Sequence, residues 1–397
     1  MLWSVTYQSI EKPYNSTVIP QIEFRDNTIP PMAKHCHRWD CLFVTLLQHP
    51  CNGHEIFSPV LCIKPTVKNR KSMKATKFIA AALLLLTTIG STAQTTGSEP
   101  NGKAIVEIFT NFHSGFGAVN DDRGFELDRS YLGYEYSFGK GVSVKGVLDI
   151  GQSKDIGDYQ HFAYIKNALI KWNRGRFTLQ GGMIGMTQFS YQEKFWGYRY
   201  IYKSFQDQYK FGSSADLGVS ASYSIAPWIE ADIVIANGEG YKLVQVNDGL
   251  LYGIGTTIKP FKGMSFRLYA GLNEGTKGEK DIVNYAMFAG YANRYFSAGV
   301  EYNIMRNNRR VNGQNLYGFS MYASGTINHW LDIYARADGL MSSHDWNKEK
   351  DEVMVIAGAQ FKLGKYVKIA PNFRMHIPSA DGASNRYYGY ISCCFGL

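Results

Sequence analysis

The chain has 397 residues, with 42 Lys and Arg against 33 Asp and Glu for a formal net charge of +9, and it carries 27 Tyr, 23 Phe and 40 Gly but only 12 Pro. The basic excess is uneven: residues 1–93 hold 10 basic and 5 acidic groups, so residues 94–397 keep 32 against 28. A surplus of four over so long a segment is too mild to point to a nucleic-acid partner.

In chain order, the first stretch is compositionally foreign to the rest. Residues 1–72 hold Cys36, Cys41, Cys51 and Cys62, four of the six cysteines, among His35, His37, His49 and His54. Their spacings follow no regular zinc-ligand plan, and the stretch lacks periodicity. It is read as a non-native or disordered upstream extension. Then comes "MKATKFIAAALLLLTTIGSTAQ", Met73 to Gln94. Lys74 and Lys77 precede an apolar run, and Ser91, Thr92 and Ala93 supply the small residues of a cleavage site, so residues 73–93 read as a secretory signal peptide. The apolar run falls short of the ~20 residues that cross a bilayer. The expectation is that Met73 is the true start and that 94–397 is the mature domain. Its two cysteines, Cys393 and Cys394, are neighbours on a strand and point to opposite faces, so no disulfide scaffold is expected.

From Lys103 onward, segments of about ten residues alternate apolar with polar or small, the period of a strand with two different faces. In "AIVEIFTNF", Val106, Ile108 and Phe112 oppose Glu107, Phe109 and Asn111; in "MSFRLYAG", Met264, Phe266, Leu268 and Ala270 oppose Ser265, Arg267, Tyr269 and Gly271. Sixteen strands are expected, starting near residues 103, 125, 142, 162, 176, 213, 228, 250, 264, 283, 295, 315, 330, 352, 366 and 386. Every second connection is tiny, such as "FGKG", "NRG" and "IAPW"; those between are longer and polar, such as "NEGTKGEKD" and "MSSHDWNKEKD".

Short turns at one end and long loops at the other mark a transmembrane antiparallel β-barrel, with tight periplasmic turns and long extracellular loops. A bilayer accepts extended chain only when every backbone group is paired, so the sheet must close. Aromatics near strand ends suit an interfacial girdle: Tyr136, Phe138, Trp172, Phe177, Tyr223, Trp228, Phe261, Tyr295, Trp330, Phe361 and Phe395. A soluble sandwich is disfavoured, because its second face would need bulky residues where this one offers Gly, Ser, Glu and Arg.

The pattern resembles a sixteen-stranded outer-membrane porin of Gram-negative bacteria. "FELDRSYLGYEYSF" followed by "YIKNALIKW" resembles the early strands of the phosphate-selective porin-like group. The resemblance implies an integral outer-membrane protein in contact with lipid, inserted by the barrel assembly machinery, and a homotrimer. Such barrels usually end on an aromatic residue, whereas this chain ends Phe395, Gly396, Leu397, which leaves Phe395 as the candidate.

Sixteen strands make a barrel too wide for its own side chains to fill, so a water-filled lumen is expected. The connection from Thr187 to Gly212, "TQFSYQEKFWGYRYIYKSFQDQYKFG", is the longest and rich in aromatics. As in the third loop of general porins, which this stretch resembles, it is expected to fold inward and constrict the passage. Its cations Lys194, Arg199, Lys203 and Lys210 outnumber Glu193 and Asp207. By parity, Arg129, Lys145, Arg267, Arg336, Lys368 and Arg374 also face the lumen, opposed by acidic groups including Glu230, Asp232 and Glu301. Charges across a narrow aqueous section select ions. The expected function is passive diffusion of small hydrophilic solutes with a weak anion preference; a phosphate or pyrophosphate channel and an adhesive or structural barrel are the alternatives. No cofactor or metal site is expected. The histidines His113, His161, His329, His344 and His376 gather around no G-x-S-x-G nucleophile, so an enzyme is not expected.

Overall fold

The computed structural model describes residues 100–117, 122–152 and 160–397. The upstream extension and the signal segment expected from the sequence lie outside them.

Sixteen strands follow one another: β1 (Asn101–Phe116), β2 (Arg123–Gly139), β3 (Val142–Gln152), β4 (His161–Arg174), β5 (Phe177–Gly185), β6 (Ala215–Ala226), β7 (Ile229–Ala236), β8 (Leu251–Ile258), β9 (Met264–Asn273), β10 (Ile282–Ala292), β11 (Phe296–Arg306), β12 (Leu316–Asn328), β13 (Leu331–Ser342), β14 (Glu352–Leu363), β15 (Val367–Pro378) and β16 (Arg386–Gly396). Each begins within two residues of its expected start. Every strand pairs antiparallel with its sequence neighbours, and β1 pairs with β16, Ile108 opposite Phe395, so the sheet closes. No described helix is long and apolar enough to cross a membrane. Closure leaves no unpaired edge, the condition lipid imposes on extended chain.

The two faces are inverted relative to a water-soluble protein. Large apolar side chains point outward and stand exposed along consecutive strands, among them Leu148, Ile165, Ile170, Val219, Ile233, Ile254, Leu268, Val300, Met321, Ile333 and Ile391. Charged groups point inward and are buried: Asp149 and Asp338 at 0 %, Glu301 and Arg336 at 2 %. A continuous oily belt of this extent has no place in water. At its short-turn end the belt carries the expected aromatics: Phe138, Trp228, Phe261, Tyr295 and Trp330 are exposed, and Trp330 stacks on Phe361 at 5.9 Å.

Between β5 and β6 the chain enters the barrel as residues 186–214. This segment forms helix α1 (Ser190–Trp196), a tight turn, and helix α2 (Phe205–Gln208). Gly197 ends α1 in the left-handed conformation, φ 74°, and its N–H donates to the Glu193 carbonyl, a helix stop that a side chain would strain. The inner wall makes room for the segment. A Cβ on Gly318 would meet the Phe205 ring at 2.0 Å, and one on Gly290 would meet the Phe195 ring at 2.7 Å. The main apolar cluster therefore sits inside the barrel, where Trp196, Tyr198, Tyr200, Ile201 and Tyr202 pack with inward side chains of β1–β3 and of β10, β12, β13, β14 and β15.

Candidate functional site

The inward loop is fastened by its backbone carbonyls and aromatic hydroxyls. Arg336 of β13 donates to the Lys203 carbonyl at 2.8 Å and Arg374 of β15 to the Ile201 carbonyl at 2.7 Å. Both guanidinium groups lie over the Tyr202 ring, each 5.4 Å from its centroid. Arg267 of β9 donates to the Thr187 carbonyl at 2.6 Å. The Tyr200 hydroxyl donates to Gln360 at 2.7 Å, and the Tyr191 hydroxyl to Ser265 at 2.8 Å. The loop tip thus meets the wall from β9 round to β15. Phe205 is fully buried with Phe211, Met305, Leu316 and Leu340.

These contacts sort the charged residues expected to line a pore. Arg267 pairs with Asp232 at 2.7 Å, and Arg336 grips Asp338 through two nitrogens at 2.8 and 2.7 Å. Both arginines face inward, as parity requires, yet they are buried beneath the loop and neutralised by carboxylates, and each also donates to a loop carbonyl. Arg374 is 8 % exposed, held by Asn372, Ser392 and the Tyr390 ring, whose centroid lies 3.5 Å away. These three position the loop.

A second group gathers where the loop faces β2–β4. Arg199 pairs with Glu193 and, at 2.8 Å, with Asp207, and donates to the Tyr131 hydroxyl at 3.2 Å. On the wall opposite, Arg129 pairs with Asp149 at 2.9 Å. Lys203 lies within the field of Arg129, Arg199 and Asp207 and makes no ion pair among the described residues. Burial pushes its ammonium down, and the neighbouring cations add to that against the pull of Asp207. Lys166 of β4 joins the set, donating to Ser214 at 2.7 Å and lying over the rings of Tyr131 and Tyr241. Five cations, Arg129, Lys166, Arg199, Lys203 and Lys242, meet four carboxylates, Asp128, Asp149, Glu193 and Asp207, across this face. The excess is positive.

The remaining expected residues stand apart. Lys145 and Lys368 are half-buried on the inner face and Glu230 is exposed toward the short-turn end, where Lys145 lies opposite Glu135 in register. Lys194 and Lys210 are exposed on the loop. Glu301 is buried behind the loop, away from the basic face. Parity reading missed Lys166 because β4 carries a bulge there: the register against β3 shifts between Val147 and Leu148, and the outward series Ala163, Ile165 resumes as Ala168, Ile170. That slip of phase is written in "AYIKNALIKW" and is the signal that finds it.

No family model and no curated protein matches the sequence. Solved structures match its fold. A loop-deleted form of the outer membrane protein OmpT of Vibrio cholerae superposes with a TM-score of 0.56 at 14% identity, covering 76% of this chain and 100% of that one. OprB of Pseudomonas putida gives 0.57 at 10%, covering 75% and 94%, and an anion-selective porin from Comamonas acidovorans gives 0.57 at 12%, covering 75% and 100%. At these identities the likeness is one of fold: a closed, sixteen-stranded, transmembrane antiparallel barrel.

Proposed function

We propose that the chain is an outer-membrane channel through which small hydrophilic solutes diffuse passively, with a weak preference for anions. The observation that carries this reading is the inward loop, whose cationic side faces the Arg129 and Lys166 wall while its other side is fastened to the barrel. A narrow section with a positive excess lowers the barrier for anions and raises it for cations. The outward apolar belt supports a lipid environment, and the alternation of short and long connections supports an orientation with loops outside. Residues 73–93 would direct export, the barrel assembly machinery would insert the barrel, and a homotrimer is the expected assembly. The Comamonas structure, described as an anion-selective porin, favours the anion reading over an adhesive barrel. The paired and buried state of Arg267 and Arg336 disfavours a dense arginine ladder, and with it the narrower phosphate or pyrophosphate channel. The reading is of a channel and not of an enzyme.

Planar-bilayer recording under a salt gradient tests this. The reversal potential should lie on the anion side and should move toward cations in Lys203→Glu, a residue whose side chain holds no structural ion pair. A clear cation preference of the unaltered protein contradicts the anion assignment.

A further inference from the structure

The two rims of the barrel carry charge differently. The seven short connections, residues 140–141, 175–176, 227–228, 259–263, 293–295, 329–330 and 364–366, all lie at one end, because each strand runs antiparallel to the next. They hold Lys140, Arg176, Lys259, Lys262, Arg294 and Lys365, and no Asp or Glu falls in them. Arg174, at the end of β4, adds a seventh cation. All seven are exposed, and none forms an ion pair among the described residues. The long loops at the other end mix both signs and pair them: Lys348 with Asp381 at 2.9 Å, Arg310 with Glu279 at 3.5 Å and Arg386 with Glu352 at 3.4 Å.

The carboxylates nearest the short turns do not answer these cations. Glu107, Glu135, Glu230 and Asp332 fall on the inward series of β1, β2, β7 and β13, in step with the buried Phe109, Tyr131, Asp232 and Tyr334. Asp332 takes the inward Lys362 at 2.7 Å, and Glu135 stands in register with Lys103 on one side and Lys145 on the other. Lys259 also leans inward, 5.8 Å over the Tyr191 ring. The other six cations accompany the aromatic girdle. Lys262 follows the exposed Phe261, and Lys140 stands two residues beyond the exposed Phe138. The Arg294 guanidinium lies 4.3 Å from the centroid of Tyr295, and the Lys365 ammonium 5.2 Å from that of Tyr366. Arg174 and Arg176 sit between Trp172 and Phe177, Arg176 donating to the Ile225 carbonyl at 3.2 Å.

We propose that this rim binds the headgroups of anionic phospholipid in the leaflet at the short-turn end. Rings at the edge of an apolar belt mark the headgroup level, so cations beside and just beyond them stand at the depth of the lipid phosphates. Strand spacing sets successive turns roughly 10 Å apart along the rim, about a Debye length at 0.1 M salt, so their fields add. Charge complementarity names the lipid: a zwitterionic headgroup brings its own ammonium, which a rim of one sign repels, whereas an anionic headgroup brings net negative charge. The contact fixes the depth of the barrel in the bilayer and is independent of which solutes pass through the lumen.

The test reconstitutes the purified protein in mixed vesicles of phosphatidylglycerol and phosphatidylcholine, with one or the other brominated in its acyl chains, and reads quenching of the tryptophans. Trp172, Trp228 and Trp330 all lie at the short-turn end and report the lipid there. At low salt phosphatidylglycerol should be preferred by about two- to fivefold, and the ratio should fall toward one in 1 M salt, where the screening length is about 3 Å. The combined variant Lys140→Asn, Arg174→Gln, Arg176→Gln, Lys262→Gln, Arg294→Gln and Lys365→Gln should lose the preference; Asn is used at 140 because the backbone there is left-handed, φ 51°. If that variant does not insert, Arg294→Gln with Lys365→Gln takes its place and should weaken the preference. Lys280→Gln with Lys350→Gln, exposed cations of the long loops, should leave it intact. The proposal is overturned if the unaltered protein shows no preference at low salt, the outcome expected of a rim that takes a soluble acidic protein instead. It is equally overturned if the preference is unchanged in 1 M salt or in the rim variants, or is lost as fully in the long-loop variant.

Discussion

The smallest residues on the inner wall decide where the loop sits. Gly318 and Gly290 are needed because aromatic rings of the loop occupy the space their side chains would fill. Gly318→Ala should force Phe205 out of its cluster and cost about 1–3 kcal/mol of overpacking, read as a lower unfolding temperature of the refolded barrel. The same substitution at Gly146, whose Cβ would meet nothing within 4 Å, should leave that temperature unchanged. Charge at this scale is equally local. Burial raises the Asp207 carboxyl, but Arg199 and Lys203 outweigh burial and hold it below its usual value of 3.8. A lowered folded value means that the stabilisation is complete above 3.8 and is lost as pH falls through the lowered value. The hold of Asp207 on the loop should therefore persist from neutral pH down to 3.8, so that channel noise arising from a loosened loop grows only in stronger acid. Arg199→Gln should bring that change to higher pH, and a profile identical to the unaltered protein would show that the pair does not hold the loop.

At the scale of strands and loops, the sequence was legible because lipid imposes a simple rule. A strand that crosses a bilayer must keep one oily face throughout, so period-two alternation and the rhythm of short and long connections placed all sixteen strands. Aromatic density in the segment after β5 likewise announced that it leaves solvent, since rings such as Phe205 and Trp196 need an apolar seat. What alternation does not carry is which inward charges meet. Arg374 reaches the Ile201 carbonyl and Tyr200 reaches Gln360 across more than 150 residues, contacts fixed by the seat of the loop and not by any spacing in the chain. Arg267, Arg336 and Arg374 therefore looked like pore-lining cations and are fasteners. Lys166 was hidden for a different reason: the bulge in β4 shifts parity by one, and a strict alternation count steps over it.

Taken whole, the closed barrel of the described residues has an oily outer face and an interior divided by one segment of its own chain into a fastened side and a basic side. Both the proposed permeability and its ion preference depend on that division. Single-channel conductance of the intact barrel compared with a form in which residues 190–208 are replaced by a short Gly-Ser linker tests it most directly. The intact protein should give discrete steps with anion preference, and the shortened form larger steps with that preference reduced. Conductance and selectivity unaffected by removing the loop, or no conductance from a correctly folded intact barrel, would contradict it.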